Sequence, residues 1–196
     1  MTNATNATNA TNTVHVLGFS GSLRKASFNT GLLNEAGRLL PDGVTFEMFD
    51  LLPIPFYNAD VEAEGAPEAV RHFKDLIAAA DALLIASPEY NYSVTGILKN
   101  AIDWVSRPPK DSPFLGKPVA IMGAGGLYGT VRSQLHLRQI LLPTGANLLT
   151  RPDVHVMRSW EKFDGEGNLT DEETREKVAQ LMIALRDWTR RLRNEA

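Results

Sequence analysis

The chain has no cysteine. Disulfides, iron–sulfur clusters and a thiol nucleophile are therefore excluded. No apolar run reaches the ~18 residues of a membrane-spanning helix, so no membrane partner is expected. Neither sign of charge dominates: 20 Lys and Arg face 23 Asp and Glu, for a net charge of −3. The basic residues are scattered, which leaves no electrostatic footprint for nucleic acid. Histidine is scarce, and His15, His72, His136 and His155 show no metal-ligand spacing, so no metal site is expected. A Gly-x-Ser-x-Gly elbow is missing, which argues against an α/β-hydrolase. Gly116-Lys117 is not part of a Walker motif. Asp111 replaces its first glycine, and Pro118 stands where Ser or Thr belongs.

What the chain does have is enough apolar residue for a full core, 43% of 196 residues. Residues 1–12 stand apart as a Thr-Asn-Ala repeat with nothing to bury. They are expected to be a disordered low-complexity tail, with 13–196 forming a single domain. The Asn-x-Thr triplets in the repeat have no signal peptide before them, so glycosylation is not expected. The expected location is the cytoplasm.

Strand and helix patterns then alternate. Val14 to Phe19 reads as a buried strand, and Leu32, Leu33, Ala36, Leu39 and Leu40 have helical spacing. Val44 to Phe49 is a second strand. Leu51 to Gly65 reads as a loop, and Pro67 opens a helix at its first position. Ala82 to Ala86 is apolar on both faces, as in the middle of a parallel sheet. Helix 96–105, strand 118–122 and helix 130–142 follow. Asn147 to Leu149 with Val154 to Val156 supplies a fifth strand. Thr170 and Glu173 read as the capping box of a last helix. Five alternations predict an α/β three-layer sandwich around a five-stranded parallel sheet of flavodoxin-like order 2-1-3-4-5. Ligands of such sheets bind at the carboxyl ends of the strands. There the loops 20–30, 87–93 and 123–129 converge.

Each loop suggests its own chemistry. Ser20, Ser22, Ser27, Asn29 and Thr30 are neutral donors, Arg24 adds a bidentate charge, and a helix start follows. That set suits one terminal phosphate held without Mg²⁺. Ser27 or Asn29 could equally be a helix cap. Ser87 to Tyr92 offers amides, carbonyls and two phenols to the edge and face of a planar heterocycle. Glu89 is better read as a solvated carboxylate than as a general base. Gly123 to Gly126 allows backbone to approach a flat ligand. It is no dinucleotide fingerprint, because Tyr128 stands where the third glycine belongs and the preceding strand is the fourth.

Gly21-Ser22-Leu23-Arg24-Lys25-x-Ser27-Phe28-Asn29, Pro88-Glu89-Tyr90-Asn91-Tyr92-Ser93 with Leu98-Lys99-Asn100-Ala101-Ile102-Asp103-Trp104, and His136-Leu137-Arg138 together resemble the NADPH-dependent FMN reductase family. The likeness is greatest to its bacterial chromate and quinone reductases, and runs from about Val14 to about Val156.

The resemblance implies bound FMN and NADPH or NADH as co-substrate. Hydride would pass through flavin N5 to quinones or other small acceptors, such as chromate, ferric chelates, azo compounds or free flavin. Ser20, Ser22, Leu23, Arg24, Ser27, Phe28 and Asn29 would hold the phosphate end. Pro88, Glu89, Tyr90 and Asn91 would line the isoalloxazine, with Gly123, Ala124, Gly125 and Gly126 along its other edge. Relatives often carry Thr-Ser-Ser in that last loop, so contacts there would come from backbone. No side chain need act as acid or base, and no catalytic residue is named. A homodimer or homotetramer is implied, with Arg132 and Asp153 pairing across subunits. The alternative is a flavodoxin-type electron carrier or a flavin-binding sensor without its own substrate site.

Overall fold

In a computed structural model that describes residues 13–194, the chain alternates strand and helix from its first element. The tail expected over residues 1–12 lies outside the described residues. β1 (Val14–Ser20), α1 (Phe28–Arg38) and β2 (Val44–Phe49) come first, followed by α2 (Ala59–Glu64), α3 (Glu68–Ala79) and β3 (Ala82–Ala86). α4 (Gly96–Val105), β4 (Pro118–Ala124) and α5 (Val131–Leu141) follow. β5 (Asn147–Leu148), β6 (Val154–Val156) and α6 (Glu172–Asn194) complete the chain. The sheet order is β2-β1-β3-β4-β5, with β6 also paired to β4 and every pairing parallel.

The alternation of side chains across each strand divides the core in two. Leu83 and Ile85 point to one face with Phe73, Ile77, Leu98 and Trp104. Ala82, Leu84 and Ala86 point to the other with Leu32, Leu33, Val178 and Leu181. β3 and β4 are buried along their whole length. That is why their sequences read as continuous apolar runs rather than as alternations.

Four local expectations are corrected. The fifth strand is two segments. β5 and β6 share the flank of β4, and Pro152, with no N–H to give a ladder, lies in the stretch between them. The segment read as a loop holds α2, whose Asn58 cap accepts from Asp60 N at 2.8 Å. Pro67 is the cap of α3 rather than its first residue. At α6, Asp171 takes the place given to Thr170. Its carboxylate accepts from Thr174 N at 3.0 Å, while the Thr170 hydroxyl donates to Lys162 O.

Candidate functional site

The β1–α1 loop is shaped by its own hydroxyls. Ser20 Oγ accepts from Ser22 N at 3.2 Å, and Ser22 Oγ accepts from Arg24 N at 3.4 Å. Thr95, at the start of α4, donates its hydroxyl to Gly21 O at 2.7 Å and fixes the loop to the sheet end. Ser27 caps α1, its Oγ accepting from Thr30 N at 3.3 Å. The N–H groups of Phe28 and Asn29 open the helix and find no acceptor among the described residues. They lie at the positive end of its dipole. Arg24 lies over Phe28, with 4.7 Å from guanidinium carbon to ring centroid.

The second loop reverses sharply. Tyr90 and Ser93 exchange both backbone hydrogen bonds at 3.0 Å. Between them Asn91 and Tyr92 have φ of 49° and 64°, the pair of left-handed residues of a mirror-image turn. Asparagine tolerates that region; for a tyrosine it stores strain. Glu89 faces α5. Its Oε2 accepts from Arg132 N and Ser133 N at 3.0 and 3.1 Å, and its Oε1 accepts from Arg132 Nη1 at 3.1 Å. A carboxylate taking three donors at a helix N-terminus organises the loop.

The third loop is tied to both neighbours. Asn29 reaches across 95 residues to Ala124, its Nδ2 donating to the carbonyl at 2.9 Å and its Oδ1 accepting from the N–H at 3.0 Å. Ser159 donates its hydroxyl to Gly125 O at 2.8 Å, and Arg158 N donates to Gly126 O at 2.8 Å. Gly123 and Gly125 are required by space. A Cβ on Gly123 would stand 2.4 Å from Ser87 O, and one on Gly125 2.4 Å from Gly129 O. At Gly126 a Cβ would meet nothing.

The three loops enclose one cleft of about 270 Å³. Ser22, Arg24, Ser27, Phe28 and Asn29 form one end, and Pro88, Glu89 and Tyr90 one wall. Ala124, Gly125 and Gly126 form the facing wall. Four residues assigned to the cofactor from sequence do not line the cleft itself. Ser20 and Leu23 line an adjoining hollow toward β2 that shares Ser22 and Arg24 with the cleft, and Asn91 lines the neighbouring cavity. Gly123 sits in β4, packed under Thr130 and Ser87. Asn29 is at the cleft, but its amide is largely spent on Ala124, which makes it a tie between loops.

Trp160 was missed. It lines the cleft while half exposed, on a helical turn over Ser159–Glu161 that follows β6. Its signal was its place directly beyond a strand's carboxyl end. Also missed was the hairpin closed by Phe163 and Leu169. Its Gly167 packs on Ala26 and its Phe163 ring lies 4.8 Å from Phe28, so it buttresses the first loop from behind. The Asn100 and Trp104 motif proves to be structural. Both donate to Pro55 O at 2.8 Å, and Asn100 Oδ1 accepts from Tyr57 N.

The donor set fits FMN. Hydroxyls, open helix N–H groups and one guanidinium suit a monophosphate. A glycine-lined wall facing a proline and a tyrosine suits a flat ring. Beside the cleft, sharing Glu89 and Gly126, a second cavity of about 560 Å³ is lined by Tyr92, Leu127, Tyr128 and Arg132.

The profile of NADPH-dependent FMN reductases matches residues 14–161. The chain is 51% identical over 181 residues to an NAD(P)H-dependent FMN reductase of Pseudomonas aeruginosa, covering 92% of this chain and 97% of that one. It is 43% identical over 188 residues to an NADPH:quinone oxidoreductase of Arabidopsis thaliana, covering 93% and 95%. Among solved structures, the flavoenzyme NAD(P)H:(acceptor) oxidoreductase FerB from Paracoccus denitrificans superposes with a TM-score of 0.80 at 34% identity, over 91% of this chain and 98% of that one. With the parallel sheet, its strand order and the phosphate-and-ring cleft at its carboxyl end, these matches place the chain in the NADPH-dependent FMN reductase family, among enzymes that oxidise NAD(P)H with a flavin.

Proposed function

We propose that this protein is a quinone reductase that draws on NADPH or NADH and holds FMN in the three-loop cleft. One observation carries the reading. A single cleft joins a monophosphate-binding end to a flat, glycine-walled end, and the flat end adjoins a larger cavity with aromatic walls. When bound, FMN supplies two-electron chemistry between nicotinamide and acceptor. The chain's own residues bind and orient. Ser22, Arg24, Ser27 and the first N–H groups of α1 take the phosphate. Pro88, Tyr90 and the Ala124–Gly126 backbone fix the ring, and Glu89 holds the wall to α5.

Chromate, ferric chelates, azo compounds and free flavin are further acceptors of such an exposed ring. Residues 13–196 act as one domain in the cytoplasm, and the protein assembles as a homodimer or homotetramer. Support for assembly comes from Val131, Leu135 and Leu142, exposed along and just beyond α5. Arg132 and Asp153 already have partners within one chain, Glu89 for the first and Arg138 and Arg151 for the second.

The test is purification followed by chromatography of the released cofactor, then stopped-flow reduction by each nucleotide and reoxidation by a quinone panel. FMN, bleaching by NAD(P)H and quinone-dependent recovery are expected. A flavin-free protein, or reduction without any quinone reoxidation, would overturn the reading. Light scattering at micromolar concentration should give at least a dimer.

A further inference from the structure

We propose that Ser133 is a positioning residue for the flavin: it locks the Pro88–Glu89 peptide with its N–H toward N5, and this fixed donor favours the oxidised ring over the reduced one. The inference rests on the cofactor reading above for the identity of the cleft. Its observations concern buried groups within one chain.

Ser133 lies in the first turn of α5 and is fully buried, so its bonds do not depend on what covers the surface. It grips one peptide at both ends. Its hydroxyl donates to Pro88 O at 2.7 Å, and its N–H donates to Glu89 Oε2 at 3.1 Å. The hydroxyl is itself held, with Ser87 Oγ 2.7 Å away. Each hydroxyl has one proton to give. That of Ser133 goes to the carbonyl, so that of Ser87 goes to Ser133. Ser87 is fully buried as well, and its N–H donates to Met122 O of β4 at 2.9 Å. A chain of bonds thus runs from the sheet through two hydroxyls to the Pro88 carbonyl. The proline ring fixes φ before the peptide, and the bonds of the Glu89 carboxylate to α5 hold the residue after it.

The Pro88–Glu89 bond is trans, and a planar trans peptide points its N–H opposite to its C=O. With the carbonyl turned to the buried hydroxyls, the Glu89 N–H is turned away from them. It has no acceptor among the described residues. Pro88 and Glu89 line the cleft, so a fixed and unspent donor meets the ring there. Glu89 also lines the larger cavity. The peptide therefore stands where the ring opens toward nicotinamide and acceptor, and N5, the atom that exchanges hydride, belongs at that opening. Oxidised N5 is an acceptor, whereas reduced N5 carries a proton and is a donor. A peptide free to turn would offer its N–H to the first and its C=O to the second. The locked peptide serves only the first. Reduced flavin is left with a donor facing a donor, which makes it a stronger reductant.

The test is the midpoint potential of FMN in the loaded protein, measured by equilibration with a reference dye. Ser133→Ala should raise it. The freed peptide gains one neutral hydrogen bond to reduced N5, so reduced FMN should gain about three- to tenfold in affinity relative to oxidised FMN. For a two-electron couple that is about 15–30 mV. Ser87→Ala is the control. It breaks the same bond between the two hydroxyls but leaves Ser133 on the carbonyl, so it should shift the potential far less. The double variant also loses the 3.2 Å contact of Ser87 Oγ with Pro88 O and should shift at least as far as Ser133→Ala. A second measurement needs no variant. In wild-type protein loaded with FMN isotopically labelled at N5, the oxidised N5 resonance should lie upfield, as for a hydrogen-bonded nitrogen. The Glu89 amide proton should move downfield when the apoprotein is loaded. A potential unchanged or lowered in Ser133→Ala, an equal rise in Ser87→Ala, or an N5 resonance without a hydrogen bond would each overturn the proposal. Failure of the cofactor reading would be seen separately, as protein isolated without flavin.

Discussion

Arg24 and Asn29 are five residues apart and do different work. Arg24 is exposed over the Phe28 ring at the end of the cleft. Its contribution is a charge-assisted contact to phosphate, so Arg24→Ala should weaken FMN binding by about 1.5–3 kcal/mol. That is roughly ten- to a hundredfold or somewhat more in dissociation constant. Fluorescence titration of apoprotein with FMN measures it, and melting of the apoprotein should be almost unaffected. Asn29 is buried, and both ends of its amide are bonded to Ala124. Asn29→Ala leaves a buried N–H and carbonyl without partners. A loss of about 1–3 kcal/mol in urea unfolding of the apoprotein is expected for each group left unmade. One substitution should thus act on affinity and the other on stability.

At the scale of elements, the cleft depends on what stands behind it. A Cβ on Gly31 of α1 would lie 2.0 Å from Gly167 O, a backbone atom of the Phe163–Leu169 hairpin. Gly167 has φ of 87° and itself packs on Ala26 in the first loop. Helix, hairpin and loop are therefore wedged together, and the hairpin cannot yield without moving the loop. Gly31→Ala should destabilise the apoprotein by about 1–3 kcal/mol, the usual range for overpacking, and should also raise the FMN dissociation constant. Unfolding curves and flavin titration of the same sample check both. A stability loss with unchanged FMN affinity would show that the hairpin does not support the loop.

For the whole molecule, acid should act in two stages, with the last helix loosened in the lower one. The Thr174 hydroxyl, and then Lys162, hold the Asp171 carboxyl below its usual range. A carboxylate with a depressed folded value gives stability that is complete above its unfolded value of about 3.9 and is lost as pH falls through the folded one. Burial, opposed by Asp153, lowers His155, whose Nδ1 is buried without a hydrogen-bond partner among the described residues. Its contribution is complete above about pH 6.5 and is lost as pH falls and the unfolded chain takes up the proton. Stability should therefore decline in two stages, one below about pH 6.5 and one below about pH 4. In urea unfolding across pH, Asp171→Asn should be weaker at neutral pH and should flatten only the lower stage.

The sequence by itself determined the order of elements and the place of the site. Apolar runs, turn residues and caps are local signals, and alternation of strand and helix leaves few sheet topologies open. Hence β2-β1-β3-β4-β5 and the meeting of the loops after β1, β3 and β4 were legible from spacing. The family motifs were legible too, although Asn100 and Trp104 turned out to hold Pro55 rather than a ligand. Only the tertiary structure decided which polar groups face the cleft. Asn29 turns to Ala124, Glu89 to the start of α5, and Ser20 and Leu23 toward β2. Trp160 and the Phe163–Leu169 hairpin reach the site from beyond the last strand. The physical reason is range. A helix or strand is written in neighbours two to four residues apart, whereas a buried amide is satisfied by whatever packing brings near, here a residue 95 positions away.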